Sequence, residues 1–311
     1  MEQPEVKDQV AITSHPGNNA PAQETPTARS AASVLPAQGC PTCGAAPASN
    51  GGTATSPSYI YAIGKIEPRF PQPSVEKEFA QATGKAATAG LTDMQATQKV
   101  LSQRSNRYLV RQLCWVMTIE GLETYLLVPR DPTDLDLLVE ALRPTPNPTD
   151  LDCVIGVRGP IASPQMCNGL QVPVVAFDQL YSFDRDSLLG AIPKPEGVTA
   201  EAFTATAGEV FDRIMQMADN AGATDEHRAL NYLAVRYPAI YATATDYHNR
   251  NSSLTAVDVQ ASSLSGTRNL VEVIFSFTNR TTDVVEQCFT RVDVTEEFPF
   301  LVTKMSPYYS R

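Results

Sequence analysis

The second half of the chain shows two hydrophobic periods, first that of helices and then that of strands. Apolar residues recur at steps of three and four from Phe203 to Ile214, which is the spacing of one helix face. A second helix is predicted from the cap residue Thr224 to Pro238. Alternation with a period of two then predicts strands over 271–277, 284–290 and 298–302. The pattern predicts two helices packed on an antiparallel β-meander.

The preceding part mixes strands and helices. "YIYAIGKI" (59–66) is apolar on both faces, which predicts a buried strand ended by Pro68. Two apolar runs around Glu120 and Gly121 predict a hairpin, and further short strands are expected after Cys153 and over 172–177. Helices are predicted to begin at three polar cap residues, namely Thr92 or Asp93, Asp131, and Asp184. This part therefore reads as a mixed α/β subdomain.

The first aromatic residue of the chain is Tyr59, and the segment before it is rich in Ala, Pro, Thr, Gly and Ser. Such a composition buries too little apolar surface to offset the entropy of ordering, so it predicts a disordered tail or linker. "IPKPEG" (192–197) is a plausible boundary further on. The fold class is predicted as α+β, with a tail at 1–57, an α/β subdomain at 58–195 and an α+β subdomain at 196–311.

Composition narrows the function classes. The chain has 311 residues and a formal net charge of −10, which disfavours general nucleic-acid binding because an acidic surface repels phosphates. The first ten residues carry no signal-peptide pattern, and no apolar run approaches the roughly 20 residues that span a bilayer. We therefore expect a cytoplasmic protein without membrane segments, in which the six cysteines are thiols or metal ligands rather than disulfides.

Several long blocks resemble a known family. They are "YIYAIGKIEPRFPQPSVEKEFAQATG", "NRYLVRQLCWVMTIEGLETYLLVPRDPTDLDLLVEALRP", "VIGVRGPIASPQMCNGLQVPVVAFDQLYSFDRD" and "VDVTEEFPFLVTKMSPYYSR". Over about residues 58–311 the chain resembles the C-terminal domain of unknown function of PatG-type cyanobactin-maturation proteases, which also ends the PatA-type proteases.

The resemblance implies a place in the maturation of ribosomally made peptides. In that family the domain accompanies a subtilisin-like protease that cleaves or macrocyclises a precursor peptide. The three histidines here lie in "SHPG", "DEHR" and "DYHN", and none fits a subtilisin motif. The resemblance therefore implies a precursor peptide or a subtilisin-like protease as partner, and a chain that is either a fragment or a free-standing relative acting beside a protease.

Cys40 and Cys43 form a Cys-Pro-Thr-Cys-Gly turn of the kind that opens a zinc knuckle. Structural zinc takes four ligands, so the pair supplies half a site. Cys167 with another residue, or the same pair of a second chain in a homodimer, would complete it. A redox pair would need a helix N-terminus, which the sequence after Cys43 does not predict. An unliganded pair in a tail is the third interpretation.

The other candidate residues give weaker evidence of a functional site. Cys167 lies in a polar loop and becomes a candidate nucleophile if His227 or His248 folds beside it. His248 is expected on a polar loop and His227 near the start of a helix. Three cysteines are expected to act as small buried apolar residues, namely Cys114, Cys153 and Cys288.

Three hypotheses follow. The first is a non-catalytic accessory module that holds a precursor peptide or a maturation protease, in which an exposed edge of the meander accepts an extended peptide. The second is a thiol- or metal-dependent peptide-tailoring enzyme that uses Cys167 or a histidine. The third is a dimerisation unit in which zinc bridges two Cys40/Cys43 pairs.

Overall fold

A computed structural model describes residues 57–309 except 87 and 218. The predicted tail, apart from Pro57, and the Cys40/Cys43 pair lie outside the described residues. The first part of the fold consists of β1 (Ser58–Arg69), α1 (Pro73–Lys85), α2 (Asp93–Leu101), α3 (Arg107–Gln112), β2 (Cys114–Ile119), β3 (Leu122–Pro129), α4 (Leu135–Ala141), β4 (Asp150–Ile161), β5 (Pro173–Asp184) and α5 (Arg185–Gly190). The second part consists of α6 (Ala200–Met215), α7 (Asp225–Arg236), α8 (Ala239–Asn249), β6 (Ser252–Ala261), β7 (Leu270–Asn279), β8 (Val285–Asp293) and β9 (Phe300–Pro307).

The first five strands close into a barrel in the order β1-β2-β3-β5-β4. All neighbouring pairs are antiparallel except β3 and β5, which run parallel. Both faces of strand β1 are buried, which agrees with its apolar residues on both sides. Ile60 and Ala62 pack in one core with the barrel interior, whereas Tyr61 and Ile63 pack outside against the second part of the chain. The predicted buried strand and the hairpin at Glu120 are confirmed.

Two strand glycines allow neighbouring barrel strands to approach closely. A Cβ atom on Gly156 would lie 2.4 Å from the carbonyl oxygen of Ala176, and one on Gly64 would lie 2.5 Å from that of Thr118. Real Cβ atoms do not approach backbone that closely, so only glycine fits these positions. The β4–β5 register also shifts beside Gly156.

In the first half of β1, before its pairing with β2 begins, residues of the second part of the chain take the place of a neighbouring strand. Strand β1 pairs with β2 only from Lys65 onward. Before that point, the amide of Tyr61 donates to the carbonyl of Gly222 at 2.8 Å, and the carbonyl of Tyr61 accepts from Asn231 Nδ2 at 2.8 Å. Asn231 is fully buried and also exchanges hydrogen bonds with Asn220. These contacts satisfy backbone groups that a neighbouring strand would otherwise bond.

Helices α6, α7 and α8 pack on the antiparallel sheet β6-β7-β8-β9. Thr199 and Thr224 accept hydrogen bonds from the first-turn amides of α6 and α7, so both predicted helices begin at capping residues. The α+β class and the C-terminal meander are confirmed. The segment 191–199 joins α5 to α6 without helix or strand.

Several element predictions were wrong or incomplete. Helix α7 ends at Arg236, just before Pro238, as predicted, but helix α8, for which Pro238 is the N-cap residue, was missed. Strand β6 and helix α1 were missed. Helix α3 was also missed, and the last strand begins at Phe300 instead of Phe298.

Candidate functional site

A long cleft crosses the exposed side of α6, from the barrel to the edge of β6. We call it the α6 cleft. One end holds about 520 Å³ and the other about 1180 Å³, and both ends are bounded by Arg185, Asp212 and Gln216. Helix α6 buries Phe203, Ala207, Val210 and Ile214 in the core, and its other side, together with the buried Phe211, forms the wall of the cleft.

The end of the cleft next to the barrel is apolar with a charged rim. Its apolar lining comes from both parts of the chain and comprises Ile63, Ile119, Leu151, Phe211 and Met215. On the rim, Lys65 donates to the carbonyl of Pro148 at 3.0 Å. The buried hydroxyl of Thr118 also lines this end and has no hydrogen-bond partner among the described residues. This end therefore suits an apolar side chain with a polar group beside it.

An ion pair marks the middle of the cleft. Arg185 Nη1 lies 2.8 Å from Asp212 of α6, and its Nε lies 3.0 Å from Asp186. Arg185 is fixed by the start of α5, where Asp184 accepts from the amide of Ser187 at 2.8 Å. Hydrogen bonds from Thr149 and Ser187 lower the pKa of Asp184 to about 2, so the cap is ionised at neutral pH.

The other end of the cleft is bounded by an unpaired strand edge. Strand β6 pairs with β7 on one side, and within the described residues no strand pairs with its other side. Arg213 covers the start of this edge by donating to the carbonyls of Thr255 at 3.2 Å and Leu254 at 3.4 Å. After the register shift between Leu254 and Ala256, residues Ala256 and Val257 line the cleft.

Small side chains on α6 keep this end open. Thr204, Ala205 and Gly208 face β6 across the cleft, and nothing lies within 4 Å of a Cβ atom placed on Gly208. Among the described residues that line the cleft there is no cysteine and no histidine. The arrangement offers main-chain hydrogen bonds, an apolar recess and charges of both signs, which are the elements of peptide recognition.

The residues singled out from the sequence lie elsewhere. Cys167 is buried in a 3-10 turn whose neighbouring cleft is lined by Glu67, Arg69 and Glu123 and by no histidine. His248 lies on α8 rather than on a loop, and its Nδ1 lies 3.2 Å from Arg280. The structure therefore does not bring Cys167 and His248 together as a nucleophile and its base.

His227 occupies the third position of α7, as expected, and burial lowers its pKa. Cys153 and Cys288 are buried, as expected for small apolar residues. Cys114 is only half-buried, and it contacts Cys167. Within the described residues, no three His, Cys, Asp or Glu side chains cluster as metal ligands.

Sequence reasoning missed the α6 cleft. Its charged residues, Arg185 and Asp212, are 27 positions apart and belong to no sequence motif. A usable signal existed in "TAVDVQ" (255–260), in which Val257 and Val259 alternate with polar residues as in a half-buried strand.

Three comparisons place the chain among known proteins. Residues 197–308 match the sequence model of a family described as PatG C-terminal. A solved structure titled "PatG Domain of Unknown Function" superposes with a TM-score of 0.65 at 19% identity, covering 81% of this chain and 99% of the other. No curated protein matches the chain.

The matched residues 197–308 extend from just before α6 to just after β9. The structural match covers more of the chain than this region and shows a shared fold. None of the described helices is long and apolar enough to cross a membrane. The resemblance inferred from the sequence is thereby confirmed: residues 197–308 match the PatG C-terminal family, and the chain shares the fold of the PatG domain of unknown function.

Proposed function

We propose that this protein is a non-catalytic accessory module of cyanobactin-type peptide maturation, which binds an extended peptide segment in the α6 cleft. The segment belongs to a precursor peptide or to the maturation protease. It pairs with the free edge of β6 and places an apolar side chain in the recess next to the barrel. The observation that carries the proposal is the unpaired β6 edge, which lines a cleft.

The chemistry of the cleft supports binding rather than catalysis. Main-chain pairing with a strand edge gives affinity for any extended segment, and adjoining pockets select side chains. The recess lined by Ile63, Phe211 and Met215 provides such a pocket, and Lys65 and Arg185 lie beside it to meet carboxylates. The name of the matching family supports a role in cyanobactin maturation. We propose that the protein acts in the cytoplasm.

Binding is tested with a fluorescein-labelled precursor peptide and with the subtilisin-like protease from the same gene cluster, by anisotropy and calorimetry. Gly208→Trp fills the cleft from α6, where the open space beside Gly208 accepts the new side chain. We expect at least a tenfold loss of affinity. Gly84→Trp is the matched control, because Gly84 also lies on a helix with open space beside it but outside the cleft.

The outcomes separate the alternatives. Equal losses in both variants would assign the effect to helix propensity and not to the cleft. Absence of binding by the unmodified chain to both probes would overturn the proposal. Half a zinc per chain, lost together with a dimer in Cys40→Ser, would instead favour the zinc-bridged dimerisation unit, in which Cys40 and Cys43 are the ligands.

A further inference from the structure

Two cysteines that are 53 positions apart in the sequence meet on the outer face of the barrel. Cys114 begins β2, and Cys167 lies in the segment between β4 and β5. Both belong to one small apolar cluster with Val116, Leu126 and Ala162, in which this segment covers the barrel strands. The thiols of Cys114 and Cys167 lie close enough to affect each other's ionisation.

The backbone around Cys167 is held in an uncommon conformation. Cys167, Asn168 and Gly169 follow one another with φ values of 45°, 52° and 86°. A left-handed conformation at a residue other than glycine costs roughly 1–2 kcal/mol, and it persists where the surroundings impose it. This turn holds the Cys167 sulfur against Cys114, so the contact does not depend on a mobile side chain.

Cys167, which is 5% exposed, borders a cleft of about 660 Å³ that its own turn helps to line. Arg69 and Glu123, which form an ion pair, stand in the same cleft. Burial raises the pKa of both thiols, that of Cys114 to about 12. The neighbouring Cys114 thiol and the charge of Arg69 act in the opposite direction on the pKa of Cys167, whereas the charge of Glu123 raises it further. Cys167 lines the cleft and Cys114 does not, so a small disulfide reaches Cys167 first.

We infer that Cys114 and Cys167 form a reversible disulfide site that is oxidised by low-molecular-weight disulfides. The Cys167 thiolate attacks one sulfur of the small disulfide, forms a mixed disulfide and releases one thiolate. The Cys114 thiolate then attacks the Cys167 sulfur and releases the second small thiolate. The two protons that the cysteines lose are taken up by the two leaving thiolates. The new bond fastens the 162–172 segment to the start of β2.

The remaining described cysteines are suited to act as controls. Cys153 is fully buried and bonds with Tyr61 and Tyr181, and Cys288 is buried with its sulfur 3.3 Å from the hydroxyl of Tyr247. Neither contacts another cysteine among the described residues. They should therefore stay reduced under conditions that oxidise the pair.

The experiment uses the full chain with Cys40→Ser and Cys43→Ser, so that this pair cannot react. The protein is incubated with oxidised glutathione, the remaining thiols are alkylated, and peptides are mapped by mass spectrometry without reduction. We expect a cross-link between Cys114 and Cys167 that dithiothreitol reverses. We also expect a rise of several degrees in the melting temperature, because the bond restricts the unfolded chain.

Two further readouts separate this site from an inert apolar pair. In Cys114→Ser, Cys167 should accumulate as a mixed disulfide with glutathione, because the resolving thiol is missing. The cross-linking rate of the unmodified pair should rise roughly tenfold per pH unit near neutrality, as expected for thiols with a raised pKa. The inference is overturned if both cysteines stay alkylatable after oxidation, or if each is glutathionylated without a cross-link.

Discussion

The barrel and the open sheet differ in whether their outermost strands are paired. The barrel leaves no free edge, because β4 pairs with β1 and the Gly222 and Asn231 contacts complete the ring. The sheet β6-β7-β8-β9 has two edges. At the β9 edge, the amide of Leu301 donates to the Tyr232 hydroxyl at 3.2 Å and that of Met305 to the Tyr237 hydroxyl at 2.8 Å. The β6 edge borders the α6 cleft.

Unpaired strand edges are a hazard that proteins cover, shorten or use. Here Tyr232 of α7 and Tyr237, just after α7, cover the β9 edge, whereas a cleft separates α6 from β6. The β6 edge is therefore the one that lies open on a cleft, where we propose that a partner binds. Four predictions test this division between a closed structural barrel and an open binding sheet.

The largest effect is expected where the barrel strands approach most closely. Gly156→Ala places a Cβ atom 2.4 Å from the carbonyl oxygen of Ala176 and 2.6 Å from Phe177 Cα, both of them backbone atoms. We expect the free energy of unfolding to fall by at least about 3 kcal/mol in urea denaturation. Gly266→Ala, in the loop after β6, has open space and should change it by less than about 0.5 kcal/mol. Equal effects would contradict the role assigned to Gly156.

The second prediction concerns the buried acid of the barrel. Asp152 accepts from the Ser182 hydroxyl and from the amide of Ile66, but burial outweighs these bonds and raises its pKa to about 6. Its contribution to stability is therefore present below pH 4 and lost as the pH rises through 6. Asp152→Asn should leave stability near pH 4 unchanged and raise it at pH 8 by roughly 3 kcal/mol, measured by urea denaturation at both values.

The open sheet supplies the contrasting case. Glu272 is also buried, yet hydrogen bonds from Arg291 and Ser262 overcome the effect of burial and lower its pKa. Its contribution is present above pH 4.5 and lost as the pH falls. Glu272→Gln should therefore destabilise the protein at pH 8, opposite in sign to Asp152→Asn. The same sign in both variants would contradict the comparison.

The third prediction tests the joint between the two regions. Asn231→Ala leaves the buried carbonyl of Tyr61 and the amide of Asn220 without their partner. We expect the free energy of unfolding to fall by about 2 kcal/mol, as measured by thermal or urea denaturation. Asn249→Ala, on the exposed end of α8, is the matched control and should be nearly neutral. If the two variants behaved alike, the joint would not depend on Asn231.

The smallest effect is expected at the covered edge. Tyr232→Phe and Tyr237→Phe each remove the hydroxyl that accepts a hydrogen bond from an edge amide of β9. We expect each substitution to lower the free energy of unfolding by about 1 kcal/mol. The double variant should also self-associate through the uncovered edge, as measured by sedimentation velocity. Tyr309→Phe, on a side chain that is 82% exposed, should do neither. A double variant that stays monomeric would show that the tyrosines do not protect this edge.

Local patterns predicted much of the fold. The stripe from Phe203 to Ile214, the cap at Thr224 and the alternation in β7 and β8 are confirmed, because each follows from side chains within one or two turns or along one strand. Helix α8 and strand β6 were missed, although the predicted end of α7 before Pro238 is confirmed. The periodicity of Ile240, Tyr241 and Ala244 was the signal available for α8.

The sequence by itself determined the α+β class, most of the elements and the resemblance to the PatG domain, since these depend on local periodicity and on the order of the blocks. Only the tertiary structure decided that the first sheet closes, that α7 covers β9 and that α6 leaves β6 open. It also decided that Cys167 meets Cys114 rather than a histidine. These features join residues tens of positions apart, and their contacts depend on packing geometry that no local pattern encodes.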